Sequence, residues 1–212
     1  PSSLKTVIIT GGSSIGSHAF QGCTGLTSIT IPDCVTTIGN YAFQGCTALT
    51  DITIPGSVTT IGNYTFQGCT NLSNIILPDN STSIGKEAFH NTSWYNSHPD
   101  GCIYIADILY EYKGDMTEAT AVSIKEGTKT VSCYAFANCT ALREVTLPSS
   151  LEVICNNAFS NCTGLTDIIL PDNLTIIADS AFQGCTGFNK ITLPDKLEQL
   201  GAYSFSDCTN VD

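Results

Sequence analysis

"YAFQGCTALTDITIPGSV", Tyr41–Val58, is one copy of a phrase that this chain repeats. "HAFQGCTGLTSITIPDCV" (His18–Val35) stands 23 residues before it and "YTFQGCTNLSNIILPDNS" (Tyr64–Ser81) 23 residues after it. Within the phrase, "LTSITIP" sets Leu26, Ile29 and Ile31 on one side and Ser28 and Thr30 on the other. That alternation, with β-branched residues, predicts a short strand. Pro32 ends it, because proline has no N–H to give to a ladder. "VTTIG" supplies a second inward pair, Val35 and Ile38. The following glycine column (Gly16, Gly39, Gly62, Gly85, Gly201) predicts a tight bend with positive φ. "NYAFQGC" is too short for an independent helix and reads as one helical or 3₁₀ turn.

The phenylalanines measure the period. Phe20, Phe43, Phe66, Phe89, Phe136, Phe159, Phe182 and Phe205 are separated by 23, 23, 23, 47, 23, 23 and 23 residues. Five residues before each stands Ile15, Ile38, Ile61, Ile84, Val131, Ile154, Ile177 or Leu200. Six residues after come Leu26, Leu49, Leu72, Leu142, Leu165, Phe188 and Val211, with Tyr95 breaking the series. Pro32, Pro55, Pro78, Pro148, Pro171 and Pro194 form another column, broken by Lys125. A period of this size marks stacked supersecondary units, each covering the apolar face that its neighbour cannot cover alone. Neighbouring strands are then expected ~4.8 Å apart in a parallel sheet.

The chain has 212 residues, 42% hydrophobic and 13% charged, with a net charge of −11. An acidic chain with eight scattered basic residues is a poor match for nucleic acid or anionic lipid, both of which need clustered Lys and Arg. No apolar run approaches the ~18 residues of a membrane span. The sequence begins at Pro1 and stops inside a repeat at "CTNVD", so both ends read as cuts in a longer protein.

The spacing Leu-x-x-Ile-x-Ile-Pro, followed by Ile-Gly-x-x-Ala-Phe-x-x-Cys-Thr, resembles the leucine-rich repeats of the BspA-like surface-protein family. The resemblance implies an α/β leucine-rich repeat solenoid of right-handed, 23-residue coils, with a concave parallel sheet and short strands and turns on the convex side. It also implies exposure at the cell surface and, as in some members, adhesion to host proteins such as fibronectin or fibrinogen. In this chain the glycine column becomes Ser132, Cys155 and Ala178.

The 47-residue gap predicts an organisation of N-terminal repeats (1–89), an insertion replacing about one repeat (90–118) and C-terminal repeats (119–212) in one solenoid. The insertion holds the only Trp (Trp94), the only Met (Met116), two of three His and four of eight Tyr. Ile103, Tyr104 and Ile105, then Ile108 to Tyr112, read as a β-hairpin turning near Ala106-Asp107. Its aromatics, Trp94, Tyr95, Tyr104, Tyr110 and Tyr112, have two readings: a small core splicing two arrays, or an interaction patch.

Seven of eleven cysteines fall in one column, three residues after the Phe: Cys23, Cys46, Cys69, Cys139, Cys162, Cys185 and Cys208. The odd total and the lack of a Cys-x-x-Cys pair favour a buried thiol ladder over a disulfide framework or zinc site. Cys133 and Cys155 stand where neighbouring coils have Asn or Gly; Cys34 and Cys102 lie outside the columns. Asn-x-Ser/Thr sequons begin at Asn63, Asn71, Asn80, Asn91, Asn138, Asn161 and Asn173 and matter only in eukaryotic secretion.

No catalytic constellation, metal motif or phosphate loop is visible, and no cofactor is expected. His18, His90 and His98 have no carboxylate and nucleophile at a recognisable spacing. The outward strand positions form two stripes: Ser28, Asp51, Asn74, Ala121, Glu144, Asp167 and Lys190 beside Thr30, Thr53, Ile76, Ser123, Thr146, Ile169 and Thr192. They read either as a binding surface or as β-formers facing water. The expectation is a non-enzymatic, secreted or cell-surface module that binds protein or glycan, with host matrix proteins as candidate partners. The alternative is a structural spacer, or a carrier module of a larger extracellular protein or enzyme.

Overall fold

A computed structural model describes residues 1–77, 83–118 and 120–209. Pro78, the sequon at Asn80 and Val211 lie outside the described residues. The chain divides into two compact units, Pro1–Pro99 and Asp100–Asp212.

In the N-terminal unit each coil contributes two short strands. Those on the face read as "SIT" or "DIT" pair in parallel as Thr6–Ile8 with Ser28–Thr30, and Asp51–Thr53 with Asn74–Ile76. The second set, Ser14–Ile15, Thr37–Ile38, Thr60–Ile61 and Ser83–Ile84, forms an unbroken four-stranded parallel sheet. The "TTIG" segment, expected only to add an inward pair, is thus the continuous ladder. The strand face is a series of separate pairs. Between the two sets, the Pro32 and Pro55 carbonyls each accept a turn bond from the residue three on, from Val35 (3.0 Å) and Val58 (3.0 Å).

The "NYAFQGC" segment is not a helical turn. Its N–H groups alternate between the same coil and the next. His18, Phe20 and Gly22 donate to the carbonyls of Asn40, Ala42 and Gln44 at 2.9, 2.7 and 2.7 Å. Ala19, Gln21 and Cys23 close i→i+3 turns within the coil. Two positive-φ positions per coil prevent helix propagation, since consecutive helical residues need negative φ. They lie two residues before the Phe (His18, Tyr41, Tyr64, φ 61°, 58° and 59°) and two after it (Gly22, Gly45, Gly68, φ 68°, 71° and 73°).

The glycine column therefore has a different cause from the one expected. Gly39, Gly62 and Gly85 are not positive-φ residues. A Cβ at Gly39 would sit 2.6 Å from the Ser17 nitrogen, and at Gly62 2.6 Å from the Asn40 nitrogen. At Gly39, Gly62 and Gly85 the position is kept small by the backbone of the preceding coil.

Inside, the Phe rings stack face to face. Phe20, Phe43, Phe66 and Phe89 are spaced 5.2–5.5 Å with planes within 10° of parallel. The six inner phenylalanines of the two units are fully buried, and the end rings Phe20 and Phe205 half-buried. His18, Tyr41 and Tyr64 build a second stack at 4.8 and 4.9 Å. Gln21, Gln44, Gln67 and Glu87 form a side-chain ladder beside it. A short helix, Ser93–Ser97, capped by Thr92 Oγ1 accepting from Tyr95 N–H (3.0 Å), closes this unit.

The C-terminal unit opens with the expected hairpin, Gly101–Ile105 against Ile108–Lys113, turning at Ala106 (φ 52°) and Asp107. The hairpin continues the repeat. Leu109 pairs with Val131, and the Tyr112 N–H donates to the Ala135 carbonyl (2.9 Å), the bond that Phe20 makes to Ala42 in an ordinary coil. Thr130–Val131, Val153–Ile154, Ile176–Ile177 and Gln199–Leu200 extend the hairpin into a six-stranded sheet. Phe136, Phe159, Phe182 and Phe205 stack at 5.0–5.2 Å.

All eleven cysteines are thiols. In the column, Cys46, Cys69, Cys162 and Cys185 each donate S–H, at 3.1 Å, to the carbonyl of the preceding coil's Phe. Hydrogen bonding to the neighbouring Cys46, in which Cys69 keeps the proton, together with burial, holds the Cys69 thiol well above the usual thiol range.

Candidate ligand-binding surface

Every residue of the two predicted stripes is exposed: Ser28, Thr30, Asp51, Thr53, Asn74 and Ile76 in the N-terminal unit, and Ala121, Ser123, Glu144, Thr146, Asp167, Ile169, Lys190 and Thr192 in the C-terminal one. Strand alternation sets this, since residues two apart share a face while Ile52, Val122 and Val145 between them point into the core. Parallel register aligns the stripes across coils: Asp51 with Asn74 and Thr53 with Ile76, then Ser123 with Thr146 and Glu144 with Asp167.

In the C-terminal unit this face is a groove. Backbone pairing runs from Thr120–Ser123 to Leu142–Thr146 and ends in a single bridge at Asp167. No backbone hydrogen bond joins residues 167–170 to 190–193. The opened edges border adjoining hollows of about 1000 and 740 Å³ that share Asp167, Ile169 and Lys196. Ile169 is 83% exposed in this groove and Leu193 41%. Around them stand Glu144, Asp167, Asp172 and Asp195, with Lys190, Lys196 and Arg143. Arg143 is held by its Nη1 donating to the Gly164 carbonyl (3.2 Å), and Lys196 by its Nζ donating to Asn173 Oδ1 (2.8 Å).

Arg143, Leu193 and Lys196 belong to this groove but not to the two stripes read from sequence. Arg143 left a trace: it is the sole arginine, and its column otherwise holds small polar residues, Thr27, Thr50, Ser73, Asn96, Thr166 and Asn189. Lys196 and Leu193 lie in the "LPDK" segment, where only the folded coil brings them beside Asp167.

The insertion aromatics serve the core. The Trp94 ring stands edge-on to Phe89, centroids 5.7 Å apart, and caps the N-terminal Phe stack. His98 also lies beside the Trp94 ring, at 4.6 Å, while Tyr95 packs on His90 at 4.3 Å. Tyr112 covers Phe136 at 6.0 Å. The Tyr104 hydroxyl accepts from the Lys125 N–H (3.1 Å), and burial raises its pKa. Tyr110 is 2% exposed, so as a ligand contact it is a correction: Ile108, Leu109 and Tyr110 are all buried, both faces of the strand being covered here, and the hairpin register shifts between Leu109 and Glu111. Trp94, Tyr95, Tyr104 and Tyr112 are each half-buried.

Among the described residues, no group of three or more His, Cys, Asp or Glu is placed to hold a metal ion. No helix among them is long and apolar enough to cross a membrane.

The family model "BspA type Leucine rich repeat region (6 copies)" matches residues 2–113 and 107–212. A leucine-rich repeat protein from Bacteroides ovatus is 29% identical, with 98% of this chain and 60% of that one covered and a TM-score of 0.45. A leucine rich cell surface protein from Faecalibacterium prausnitzii is 28% identical over 99% of this chain and 59% of that one, TM-score 0.47. The pneumococcal vaccine antigen PcpA is 21% identical over 92% of this chain and 57% of that one, TM-score 0.49. The chain thus spans less than two thirds of the length of these solved structures. A search of curated proteins finds no significant match.

Proposed function

Because the chain belongs to the BspA-type leucine-rich repeat family, we propose that it is a non-enzymatic, cell-surface module that binds a protein ligand through the strand face of its C-terminal unit. The observation that carries this reading is Ile169, 83% exposed in a groove flanked by Glu144, Asp167 and Lys190. A large apolar side chain in water within a concavity, ringed by charge of both signs, has the composition of an interface centre and rim. The backbone edges at 167–170 and 190–193, which do not pair with each other, add donors and acceptors that an extended segment of a partner can satisfy.

The test uses surface plasmon resonance on immobilised fibronectin and fibrinogen. Saturable binding of the wild-type chain is expected to at least one of them. Ile169→Asp should weaken it by roughly tenfold or more, the scale of a truncated hot spot. Ile76→Asp, at the equivalent position of the N-terminal unit, should leave it unchanged. Binding that ignores Ile169→Asp removes the proposed site. Absence of binding to both proteins removes adhesion to these matrix proteins and favours a spacer.

A further inference from the structure

We propose that Cys133 and Cys155 are a disulfide-forming pair that staples two adjacent coils when the protein meets a disulfide oxidant. The argument begins with two columns. Three residues before the Phe, neighbouring coils carry Asn40, Asn63, Asn156 and Asp179; four before it they carry Gly39, Gly62, Gly85 and Gly201. These positions touch across the coil interface. A Cβ at Gly62 would lie 2.5 Å from Asn40 Oδ1, and one at Gly85 2.6 Å from Asn63 Oδ1. At Gly201 the corresponding group is Asp179 Oδ1, 2.7 Å away. In each case the second-column position of one coil meets the first-column side chain of the coil before it.

Cys133 and Cys155 occupy this pair of touching positions at one interface. The register there is fixed on both sides: Val131 pairs with Ile154, the Cys155 N–H donates to the Val131 carbonyl (2.9 Å), and the Tyr134 N–H donates to the Asn156 carbonyl (3.2 Å). Both departures from the repeat therefore fall where one side chain reaches the other's Cβ. A disulfide needs Cβ atoms ~3.5–4.5 Å apart, and these two columns bring the Cβ of the later coil against the side chain of the earlier one.

The cysteines of the main column are placed differently. They repeat at the coil spacing, which the Phe rings mark at 5.0–5.2 Å in this unit, wider than the Cβ separation of a bridge. Their S–H groups donate to Phe carbonyls of the preceding coil. Access favours entry at Cys133, which is half-buried, whereas Cys155 is 5% exposed.

The reaction is thiol–disulfide exchange with a small disulfide such as oxidised glutathione. The Cys133 thiolate attacks one sulfur of the oxidant, forming a mixed disulfide and expelling one glutathione thiolate. The Cys155 thiolate then attacks the Cys133 sulfur and expels the second. Two protein thiols lose two electrons and two protons, and one glutathione disulfide becomes two glutathione thiols.

The experiment is a non-reducing tryptic map of the chain after equilibration with oxidised glutathione. The expected species links Thr130–Arg143 to Glu144–Lys190, with fragment ions placing the bridge between Cys133 and Cys155, and dithiothreitol removes it. Cys133→Asn and Cys155→Gly, which restore residues that other coils carry, should each abolish the species. A bridge mapped to Cys139 and Cys162, or glutathione retained on Cys133 without a bridge, overturns the proposal. Should either variant fail to fold, the wild-type map decides alone.

Discussion

Phe43 lies flat on Phe66, ring centroids 5.2 Å apart and planes 4° from parallel. Both rings are fully buried, and much of what buries each is the same residue from the next coil. The interior is a column in which a ring in the middle has two aromatic faces covered and a ring at the end has one. Stability in such an array is close to a sum over nearest neighbours.

Phe159→Ala should therefore cost about 3–5 kcal/mol, the range for deleting a buried Phe. Phe159 has a ring on each side, at 5.0 and 5.2 Å. Phe205 is half-buried and stacks on Phe182 alone among the Phe column, so Phe205→Ala should cost clearly less. Urea denaturation of the two variants checks this. Equal losses would show that the rings do not act as a column.

The glycine column makes a steric prediction. Gly62→Ala would push a methyl group to within 2.6 Å of the Asn40 nitrogen, a backbone atom that moves only with its coil. About 1–3 kcal/mol should be lost, as for other overpacked cores. Gly16, in the same column of the first coil, has nothing within 4 Å of a built Cβ. Gly16→Ala should thus fall within about 0.5 kcal/mol of wild type, as surface changes do. Thermal or urea unfolding of both variants separates packing from bend formation.

Two residues after the Phe, the constraint is dihedral. Gly45 has φ 71° and no atom closer than 3.9 Å to a built Cβ, so there is room but a left-handed backbone. Asn91, Asn138 and Asn161 hold the same position at φ 58–64°. Asn enters that region more readily than other side chains. Gly45→Asn should be close to neutral, whereas Gly45→Val should cost about 1–2 kcal/mol. A Val as stable as the Asn in urea titration would refute the dihedral account.

The repeat length, inward columns and hairpin were legible because each is periodic or strongly alternating, and periodicity reports burial directly. Turn geometry was not. Asn and Gly alternate after the Phe for a dihedral reason, while Gly before it is a distance to another coil, and a single sequence writes both causes with the same letter. Tyr41 and Tyr64 at φ 58° and 59° were illegible for the opposite reason: bulky residues rarely occupy that region, and here they do so while stacked 4.9 Å apart. The groove escaped the reading because Arg143, Asp167 and Lys196 come from separate coils, and their meeting depends on where backbone pairing stops. The outward stripes were legible as exposed; their role was not, since exposed Thr looks alike in a binding face and in a plain one.

The half-buried thiols predict how stability depends on pH. Burial, with the charges of Glu111 and Cys102 nearby, pushes Cys139 up to about 11. Burial, with Cys185 and Asp207 nearby, pushes Cys208 up to about 11. An unfolded thiol deprotonates near ~8.5. Between these values the folded chain holds more protons than the unfolded one, so unfolding free energy falls as pH rises. The contribution is fully present below pH ~8.5 and is lost as pH climbs through about 11. A variant that removes only these two thiols isolates their share of the pH dependence. The urea midpoint of wild type should therefore drop more steeply with alkaline pH than that of a Cys139→Ala/Cys208→Ala double variant. Parallel slopes for the two proteins would mean that these sulfurs are as well solvated in the coil stack as in the unfolded chain.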